Sequence, residues 1–350
     1  MRNRILAAIA LATVAGAASA GTVYPVQDPN YTFEIYSTAS EGIVGQTFTS
    51  GGQLIRSNGG GGVYVHSLLA DTTIHGSNTI HSSVFQSISG LGSGYGLTTG
   101  LDGTIYANTS AGVQVINLGT STATTLANTS GHGGSYGIKT MADGRIAHND
   151  GSSRIWIYNP ANGTDTLIYS SPVFIDDIAT DTLGNIFLAG QNSNRTIIID
   201  STGNVLNSIN TSIVGINDGM AFGNGEIYKN NTNGTISRLD FAAGGYTTLL
   251  SETVIASGGG YGDLASVGPD GAFYVTNQSV RYFDGTSTAG SGYALVRISC
   301  NAGPCFAGGG VPDPTPDPNP TTGVPEPATL SLLGLGMAGL FVTRRRKTVR

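Results

Sequence analysis

This chain contains many short segments in which hydrophobic and polar residues alternate, so that every second position is hydrophobic. Stretches rich in Gly, Asn, Asp, Ser and Thr separate these segments. Alternation at period two places successive side chains on opposite faces of a β-strand, and the intervening residue types favour turns and disfavour helices. The pattern therefore predicts an all-β fold. It excludes helical repeats, because these need amphipathic runs of roughly ten or more residues at a spacing of 3.6.

Three sequence elements recur along the chain with a period near 41 residues. The first is a glycine frame, Gly-x-apolar followed by an aromatic residue or Ala, at intervals of 42, 41, 40, 41 and 46 residues. About a dozen positions later an apolar residue precedes Asn or Asp, as at Ile116-Asn117, and a third element precedes the glycine, as at Tyr95-Gly96-Leu97. The frame glycines are Gly61, Gly103, Gly144, Gly184, Gly225 and Gly271.

A repeat of this length, with three recurring elements and a variable fourth, predicts four short strands per unit. This is the organisation of a β-propeller, and six glycine frames predict six four-stranded blades over residues 21–305. Asp-Gly and Asn-Gly supply the positive φ angles of a tight turn between the innermost strand and the next. We expect the extra segment Tyr31 to Ser37 to close the ring by pairing near Tyr293 to Ser299, because a circular fold must protect its edge strands.

This spacing of turn glycines resembles that of six-bladed propellers of the NHL and gluconolactonase-like kind. The positions that carry the resemblance are Asp102-Gly103, Asp143-Gly144, Asn224-Gly225 and Asp270-Gly271, with a poorer match at Leu183-Gly184. Because they are structural turn residues, the resemblance implies a fold and no activity.

Residues 1–20 have the three parts of a secretory signal peptide. Arg2 and Arg4 precede an apolar run from Ile5 to Ala17, and Ala18-Ser19-Ala20 forms a small-residue cleavage site. The pattern predicts export by the Sec machinery and a mature chain that begins at Gly21.

The C-terminal segment 324–350 combines three features in a fixed order: the motif Val324-Pro325-Glu326-Pro327, an apolar stretch at 328–342, and a basic cluster from Arg344 to Lys347. This order resembles the PEP-CTERM sorting signal of Gram-negative, exopolysaccharide-producing bacteria. The resemblance implies that an exosortase in the inner membrane processes the tail at or near the motif.

The apolar stretch predicts a short transmembrane helix. About fifteen residues span only ~22 Å as a helix, less than the ~30 Å hydrocarbon core, so the helix would be a marginal anchor. The positive-inside rule predicts a cytoplasmic C-terminus and a propeller outside the cytoplasm. We therefore expect a transient inner-membrane anchor, followed by release to the cell surface or the extracellular matrix.

Between the propeller and the tail, residues 306–323 predict a Pro- and Gly-rich linker of polyproline-like character, long enough to hold the propeller tens of ångströms from the membrane. Cys300 and Cys305 are the only cysteines. In an oxidising compartment, two such close cysteines predict a local disulfide that pins the last strand of the domain.

Residues 21–323 contain nine basic and twenty-one acidic residues, a net charge of −12. An acidic surface repels phosphate backbones, so the charge excludes nucleic acid as an expected partner. The same charge is compatible with the binding of divalent cations.

Residues that precede the innermost strands should line one mouth of the central channel. Among them, Asp177, Asp218 and Asp263 are candidate ligands for Ca²⁺ or Mg²⁺, because hard cations take oxygen ligands. Gluconolactonase-like propellers use a similar mouth for a divalent metal. The alternative is that these side chains only cap turns. The full set of mouth positions is Tyr95, Tyr136, Asp176, Asp177, Asn217, Asp218 and Asp263.

The sequence predicts no catalytic residue. No Gly-x-Ser-x-Gly elbow opens a helix, and the five histidines fall in the first three repeats: His66, His75, His81, His132 and His148. We therefore predict a non-catalytic binding or structural module of an exported surface or matrix protein, with exopolysaccharide or another surface protein as partner. Tyrosines and Trp156 offer a minor hypothesis, a surface that stacks on sugars. The alternative function is a metal-dependent lactonase or lyase that uses Asp177, Asp218 and Asp263.

Overall fold

The computed structural model describes most of the region predicted to form the propeller. The described residues are 24–39, 42–66, 73–75, 78–81, 83–134, 136–191, 193–211, 217–243, 245–283 and 288–301. The signal peptide predicted at 1–20, the linker predicted at 306–323 and the tail at 324–350, with its apolar stretch at 328–342, lie outside these residues. Within the described part, all regular elements are β-strands, and no helix has the length and hydrophobicity of a membrane span.

Two N-terminal strands precede the six blades in the chain. Each blade is an antiparallel sheet, and its first strand lies nearest the centre of the ring. The N-terminal strands are β1 (Val26–Gln27) and β2 (Tyr31–Ala39). Blade 1 contains β3 (Gln46–Phe48), β4 (Leu54–Ser57), β5 (Gly62–His66) and, after a hairpin of β6 (Thr73–His75) and β7 (Asn78–Ile80), β8 (Ser83–Ser87). Blade 2 contains β9 (Gly94–Thr99), β10 (Ile105–Thr109), β11 (Gly112–Asn117) and β12 (Thr122–Thr125). Blade 3 contains β13 (Ile138–Thr140), β14 (Ile146–Asn149), β15 (Arg154–Asn159) and β16 (Thr164–Ser170).

The remaining three blades follow the same order, which confirms the predicted six-bladed all-β propeller. Blade 4 contains β17 (Ile175–Thr180), β18 (Ile186–Gly190), β19 (Arg195–Ile199) and β20 (Val205–Asn210). Blade 5 contains β21 (Asn217–Gly223), β22 (Glu226–Asn231), β23 (Ile236–Phe241) and β24 (Leu249–Ser257), with β1 paired to the outer edge of β24. Blade 6 contains β25 (Tyr261–Val267), β26 (Phe273–Phe283), β27 (Thr288–Cys300) and β2.

The N-terminal strand β2 closes the ring by forming the outer strand of blade 6. It pairs antiparallel with β27, with Tyr31 opposite Cys300 and Ala39 opposite Tyr293. The predicted pairing of the two ends is therefore confirmed. An ion pair strengthens it, because Arg297 on β27 donates to Glu34 on β2 over 2.6 Å. The predicted disulfide between Cys300 and Cys305 stays a prediction, since Cys305 lies outside the described residues.

Five of the six frame glycines occupy the predicted turn between the first and second strands of a blade. Their φ angles lie between 68° and 86°, in the left-handed region that glycine adopts without strain: Gly103, Gly144, Gly184, Gly225 and Gly271. The assignment of Gly61 is wrong. Gly61 precedes β5, the third strand of blade 1, whereas the corresponding turn contains Gly52 at φ 79°. The hairpin β6–β7 lengthens blade 1 after β5 and so disguises the register of its repeat.

Apolar faces of neighbouring blades pack against each other and form the core. At the junction of blades 4 and 5, Phe187 on β18 stacks on Phe222 on β21, with ring centroids 5.2 Å apart. Buried aliphatic side chains fill the other junctions, several of which also contain buried aromatic residues. Each blade thus buries both faces against its neighbours.

Asparagines near the ends of the second strands link one blade to the next. Asn108 donates to the Gly137 carbonyl of the following connection over 3.0 Å, and Asn149 donates to the Ile175 carbonyl over 2.6 Å. Asn230 donates to the Asp263 carbonyl over 2.7 Å. Blade 4 breaks this series, because Ala189 and Gly190 end its second strand. The break lies beside the acidic residues at the channel mouth.

Candidate functional site

Three buried carboxylates meet at the end of the channel where the innermost strands begin. Asp176, Asp218 and Asp263 lie on β17, β21 and β25, so blades 4, 5 and 6 contribute one carboxylate each. One oxygen of each residue lies within 4.8 Å of the other two. The residues are only 2%, 2% and 5% exposed. We refer to these three residues as the acidic cluster.

A β-bulge at the start of each of the three strands aims these side chains at the channel mouth. The pairing register shifts between Ile175 and Ile178, between Asn217 and Gly219, and between Gly262 and Ala265. Each shift includes a member of the acidic cluster. Bulges interrupt the ladder and redirect side chains, which explains how residues of central strands converge at one point.

Two glutamines and a tyrosine contact the cluster. The Gln191 amide donates to Asp218 Oδ1 over 2.8 Å, and the Gln278 amide donates to Asp263 Oδ2. The Tyr261 hydroxyl hydrogen-bonds Asp218. Asp176 Oδ1 is buried and has no hydrogen-bond partner. One oxygen of the cluster is therefore left without a donor in a site that water reaches poorly.

Burial and mutual repulsion raise the pKa of the cluster carboxyls. Burial raises the pKa of Asp176 well above its usual value, and the nearby Asp218 and Asp263 raise it further. The pKa of Asp263 is raised well above its usual value by burial and by Asp218. Burial also raises the pKa of Asp218, although bonds from Asp176, Gln191 and Tyr261 oppose the shift. The ion-free site therefore resists full ionisation.

Asp177 has a different environment from its neighbour Asp176. Its Oδ2 accepts the backbone N–H groups of Met220 and Ala265 over 2.9 and 3.1 Å, which ties blade 4 to blades 5 and 6. Lys139 Nζ lies 4.0 Å from Asp177 Oδ1 and donates to the Ala265 carbonyl over 2.7 Å. Both carboxylate oxygens of Asp177 therefore have partners inside the ring. Of the three proposed metal ligands, the structure brings Asp218 and Asp263 together, with Asp176 rather than Asp177 as the third carboxylate.

Asn217 and Tyr136, two of the other predicted mouth residues, have described contacts with residues outside the acidic cluster. Asn217 is buried and donates to Thr196 Oγ1 over 3.3 Å. Tyr136 packs edge-on against Phe174, with ring centroids 6.3 Å apart. The side chain of Tyr95 lies outside the described residues.

Two of the histidines serve a polar network in blade 3 instead of the channel mouth. His132 Nδ1 and His148 Nε2 contact the two oxygens of Asp165 at 2.9 and 3.0 Å. The His132 ring stacks on Trp156, with centroids 3.6 Å apart, and so covers one face of the indole that a sugar would need. His66 is buried in blade 1 beside Tyr36.

Gln191 and Gln278 were not identified from the sequence as site residues. A signal was present, because both follow their turn glycine, Gly184 or Gly271, by seven positions. Their contact with the carboxylates depends on the packing of adjacent blades, which the repeat alone does not reveal.

A set of three carboxylates suits a hard cation better than a soft one. Ca²⁺ and Mg²⁺ take oxygen ligands, whereas sites for zinc or copper are built with imidazole or thiolate groups. The unpartnered Asp176 oxygen points to the same kind of ligand. The residues present thus fit a divalent cation held between blades 4, 5 and 6.

Comparison with protein families gives a match at the C-terminus. Residues 323–347 match the PEP-CTERM protein-sorting motif, which confirms the interpretation of the Val324-Pro325-Glu326-Pro327 segment. The motif implies an exported protein that is anchored transiently in the membrane before an exosortase cleaves it. No curated protein sequence matches the chain.

Solved structures share the propeller fold at low sequence identity. A calcium-binding protein, regucalcin, from Agrobacterium tumefaciens is 13% identical, with a TM-score of 0.54 over 79% of this chain and 97% of its own. Virginiamycin B lyase from Staphylococcus aureus is 12% identical, with a TM-score of 0.53 over 77% and 99%. A protein proposed to be a gluconolactonase is 12% identical, with a TM-score of 0.56 over 79% and 94%. These similarities establish the fold, and they agree with the expected resemblance to gluconolactonase-like propellers.

Proposed function

We propose that this protein is an exported surface or matrix protein whose propeller is a non-catalytic, cation-dependent binding or structural module. Asp176, Asp218 and Asp263 would hold the cation, Ca²⁺ or Mg²⁺. The observation that carries the proposal is the convergence of three buried carboxylates, with oxygens within 4.8 Å and one oxygen of Asp176 lacking a donor.

Electrostatics supports a bound cation. Burial of like charges at short distance is costly unless an opposite charge compensates them. Among the described residues, the nearby cation Lys139 contacts Asp177 and the Ala265 carbonyl. A divalent ion would supply the missing charge and join three blades at once.

The sorting motif supports a location outside the cytoplasm, where the predicted signal peptide, linker and tail would deliver the propeller. In this proposal the Sec machinery exports the chain, the tail anchors it with its C-terminus in the cytoplasm, and the exosortase then releases the anchor. The partner would be exopolysaccharide or another surface protein.

Two adjacent aspartates provide a matched test of the cation site. In isothermal titration of the purified full-length protein with CaCl₂ and MgCl₂, we expect Asp176→Asn to weaken binding by more than the roughly 10–100-fold loss typical of an outer-shell residue. We expect Asp177→Asn to bind the cation like the wild type. Because Asp177 accepts backbone N–H groups of two other blades, Asp177→Asn should instead lower the free energy of unfolding by about 1–3 kcal/mol.

Three results of this titration would count against the proposal. Absence of binding of both ions to the wild-type protein would refute the cation site. An equal loss of cation affinity in the two variants would show that the loss results from unfolding and not from removal of a ligand. Loss in Asp177→Asn alone would return the ligand role to Asp177.

A second candidate function is a metal-dependent lactonase or lyase. The names of two proteins with the same fold, a proposed gluconolactonase and virginiamycin B lyase, favour it. Against it, His132 and His148 are engaged with Asp165 and are not contacts of the acidic cluster in the described structure. Release of acid from sugar lactones that requires both Ca²⁺ and Asp176 would replace the non-catalytic proposal.

A further inference from the structure

Gln191 and Gln278 occupy equivalent positions in blades 4 and 6. Each lies seven residues after the glycine of the first turn, Gly184 or Gly271. At this position the intervening blade 5 has Thr232, and blades 2 and 3 have Ser110 and Gly151. Glutamine therefore occurs in the two blades that flank Asp218.

Both glutamines turn their amide groups to the acidic cluster. Gln191 follows β18 and donates to Asp218 Oδ1 of the next blade over 2.8 Å. Gln278 lies on β26 and donates to Asp263 Oδ2 on the neighbouring strand of its own blade. One donor thus comes from blade 4 and the other from blade 6.

The amide side chain of a glutamine can change from hydrogen-bond donor to acceptor without any movement of the backbone. Its oxygen and nitrogen occupy nearly equivalent positions, so rotation about the last side-chain bond converts a donor into an acceptor. In the absence of a cation, the NH₂ groups satisfy carboxylate oxygens. In the presence of a cation, the amide oxygens can face the same centre.

We propose that Gln191 and Gln278 are ion-selecting residues, whose amides stabilise Asp218 and Asp263 in the ion-free protein and offer carbonyl oxygens to the bound cation. This inference rests on the proposed cation site. Together with the acidic cluster, the two amides bring the number of proposed side-chain ligands to five.

That number of ligand groups favours Ca²⁺ over Mg²⁺. Ca²⁺ takes six to eight oxygen ligands in flexible geometry, whereas Mg²⁺ retains several waters and is held by one or two carboxylates. Loss of an amide oxygen should therefore weaken Ca²⁺ binding more than Mg²⁺ binding.

Methionine substitutions test this selection, because Met resembles Gln in shape and lacks the amide. In titrations of the full-length protein with CaCl₂ and MgCl₂, we expect Gln191→Met and Gln278→Met each to weaken Ca²⁺ binding roughly 10–100-fold and to lower the Ca²⁺/Mg²⁺ affinity ratio. Gln86→Met is the matched control, since Gln86 donates to Leu118 and lies on β8 of blade 1. Its Ca²⁺ affinity should equal that of the wild type.

Gln191→Glu separates the two roles of the amide. Glutamate keeps an oxygen ligand and, when ionised, cannot donate, so we expect Gln191→Glu to bind Ca²⁺ at least as tightly as the wild type. A loss as large as that in Gln191→Met would overturn ion selection and leave only hydrogen-bond donation. A parallel thermal melt verifies that each variant is folded.

The remaining outcomes distinguish the inference from the proposed function. Unchanged Ca²⁺ affinity and selectivity in both Met variants, with Ca²⁺ still bound by the wild type, would overturn the inference alone. An equal fall for both ions would overturn selection as well. Failure of the wild type to bind either ion would refute the cation site and the inference together.

Discussion

At the residue scale, neighbouring side chains of one type have different roles because their contacts differ. Asp176 faces two other carboxylates, whereas Asp177 accepts N–H groups from Met220 and Ala265. Successive residues of a strand project to opposite sides, and the bulge in β17 redirects this pair. Histidines show the same dependence on environment, since His148 is bonded to Asp165 and His66 is buried beside Tyr36 and Arg56.

His66 should make the protein sensitive to acid. Burial, together with Arg56 and His81, lowers the pKa of His66 from 6.5 to about 3. Because the unfolded chain binds the proton more readily, the stability linked to His66 is present above pH 6.5 and is lost as the pH falls towards 3. We therefore compare the free energy of unfolding of His66→Phe with that of the wild type at each pH. The difference, variant minus wild type, should be about 2 kcal/mol more positive at pH 5 than at pH 8.

Urea unfolding of both proteins at pH 5 and pH 8 measures this effect. An equal difference in free energy of unfolding at the two pH values would show that His66 does not resist protonation.

At the element scale, short strands are completed by segments that are distant in sequence. The outer strand of blade 6 is β2, and its residue Ile35 is 3% exposed opposite Val296. The ring is therefore closed by contacts between the two ends of the described chain. An edge left open would expose unpaired backbone groups of β27.

Ile35→Ala should destabilise the propeller through this closure. Loss of a buried isoleucine side chain costs about 2–5 kcal/mol. Val205→Ala on the outer strand β20 is a suitable control, because Val205 is 51% exposed and should contribute less than about 0.5 kcal/mol. Denaturant midpoints compare the two variants, and similar small effects would mean that β2 adds little to the stability of the ring.

At the scale of the whole molecule, the acidic cluster depends on the circular arrangement. Its members are separated by more than 40 residues along the chain and meet because blades 4, 5 and 6 are adjacent in the ring. Asp177 and Lys139 connect the same region across the channel, since Lys139 of blade 3 donates to Ala265 of blade 6. A cation in the cluster would therefore affect the stability of the complete propeller.

The acidic cluster should contribute less to the stability of the ion-free protein as the pH rises from 5 to 8, opposite in sign to the contribution of His66. The folded-state pKa values of Asp176, Asp218 and Asp263 are raised, so folding favours their protonated forms, and this stabilisation is lost as the pH rises through those values. Ca²⁺ should remove the loss by compensating the ionised carboxylates.

Thermal melts in chelator and in Ca²⁺, at pH 5 and pH 8, provide the measurement. Asp176→Asn should flatten the pH dependence in chelator, because it removes one of the repelling charges. The same slope with and without Ca²⁺ would contradict a role of the cation in stability.

The sequence by itself determined the blade number, the turn glycines, the closing strand and the sorting motif. These features are local or periodic: positive φ at Gly103 or Gly144 is a property of one turn, and the 41-residue spacing repeats it. Even so, the hairpin inserted in blade 1 changed the spacing of its repeat, so the similar frame at Gly61 was assigned to the turn that contains Gly52. Periodicity identifies a repeat, but an insertion within the unit shifts its apparent register.

Only the tertiary structure decided which acidic residues meet and which side chains contact them. The sequence identified the segment Asp176-Asp177 without distinguishing its two carboxylates, because a bulge in β17 and the N–H groups of two other blades determine their directions. Gln191 and Gln278 became site residues through the packing of strands distant along the chain. Such contacts arise from the closure of the ring, a property that no single repeat contains.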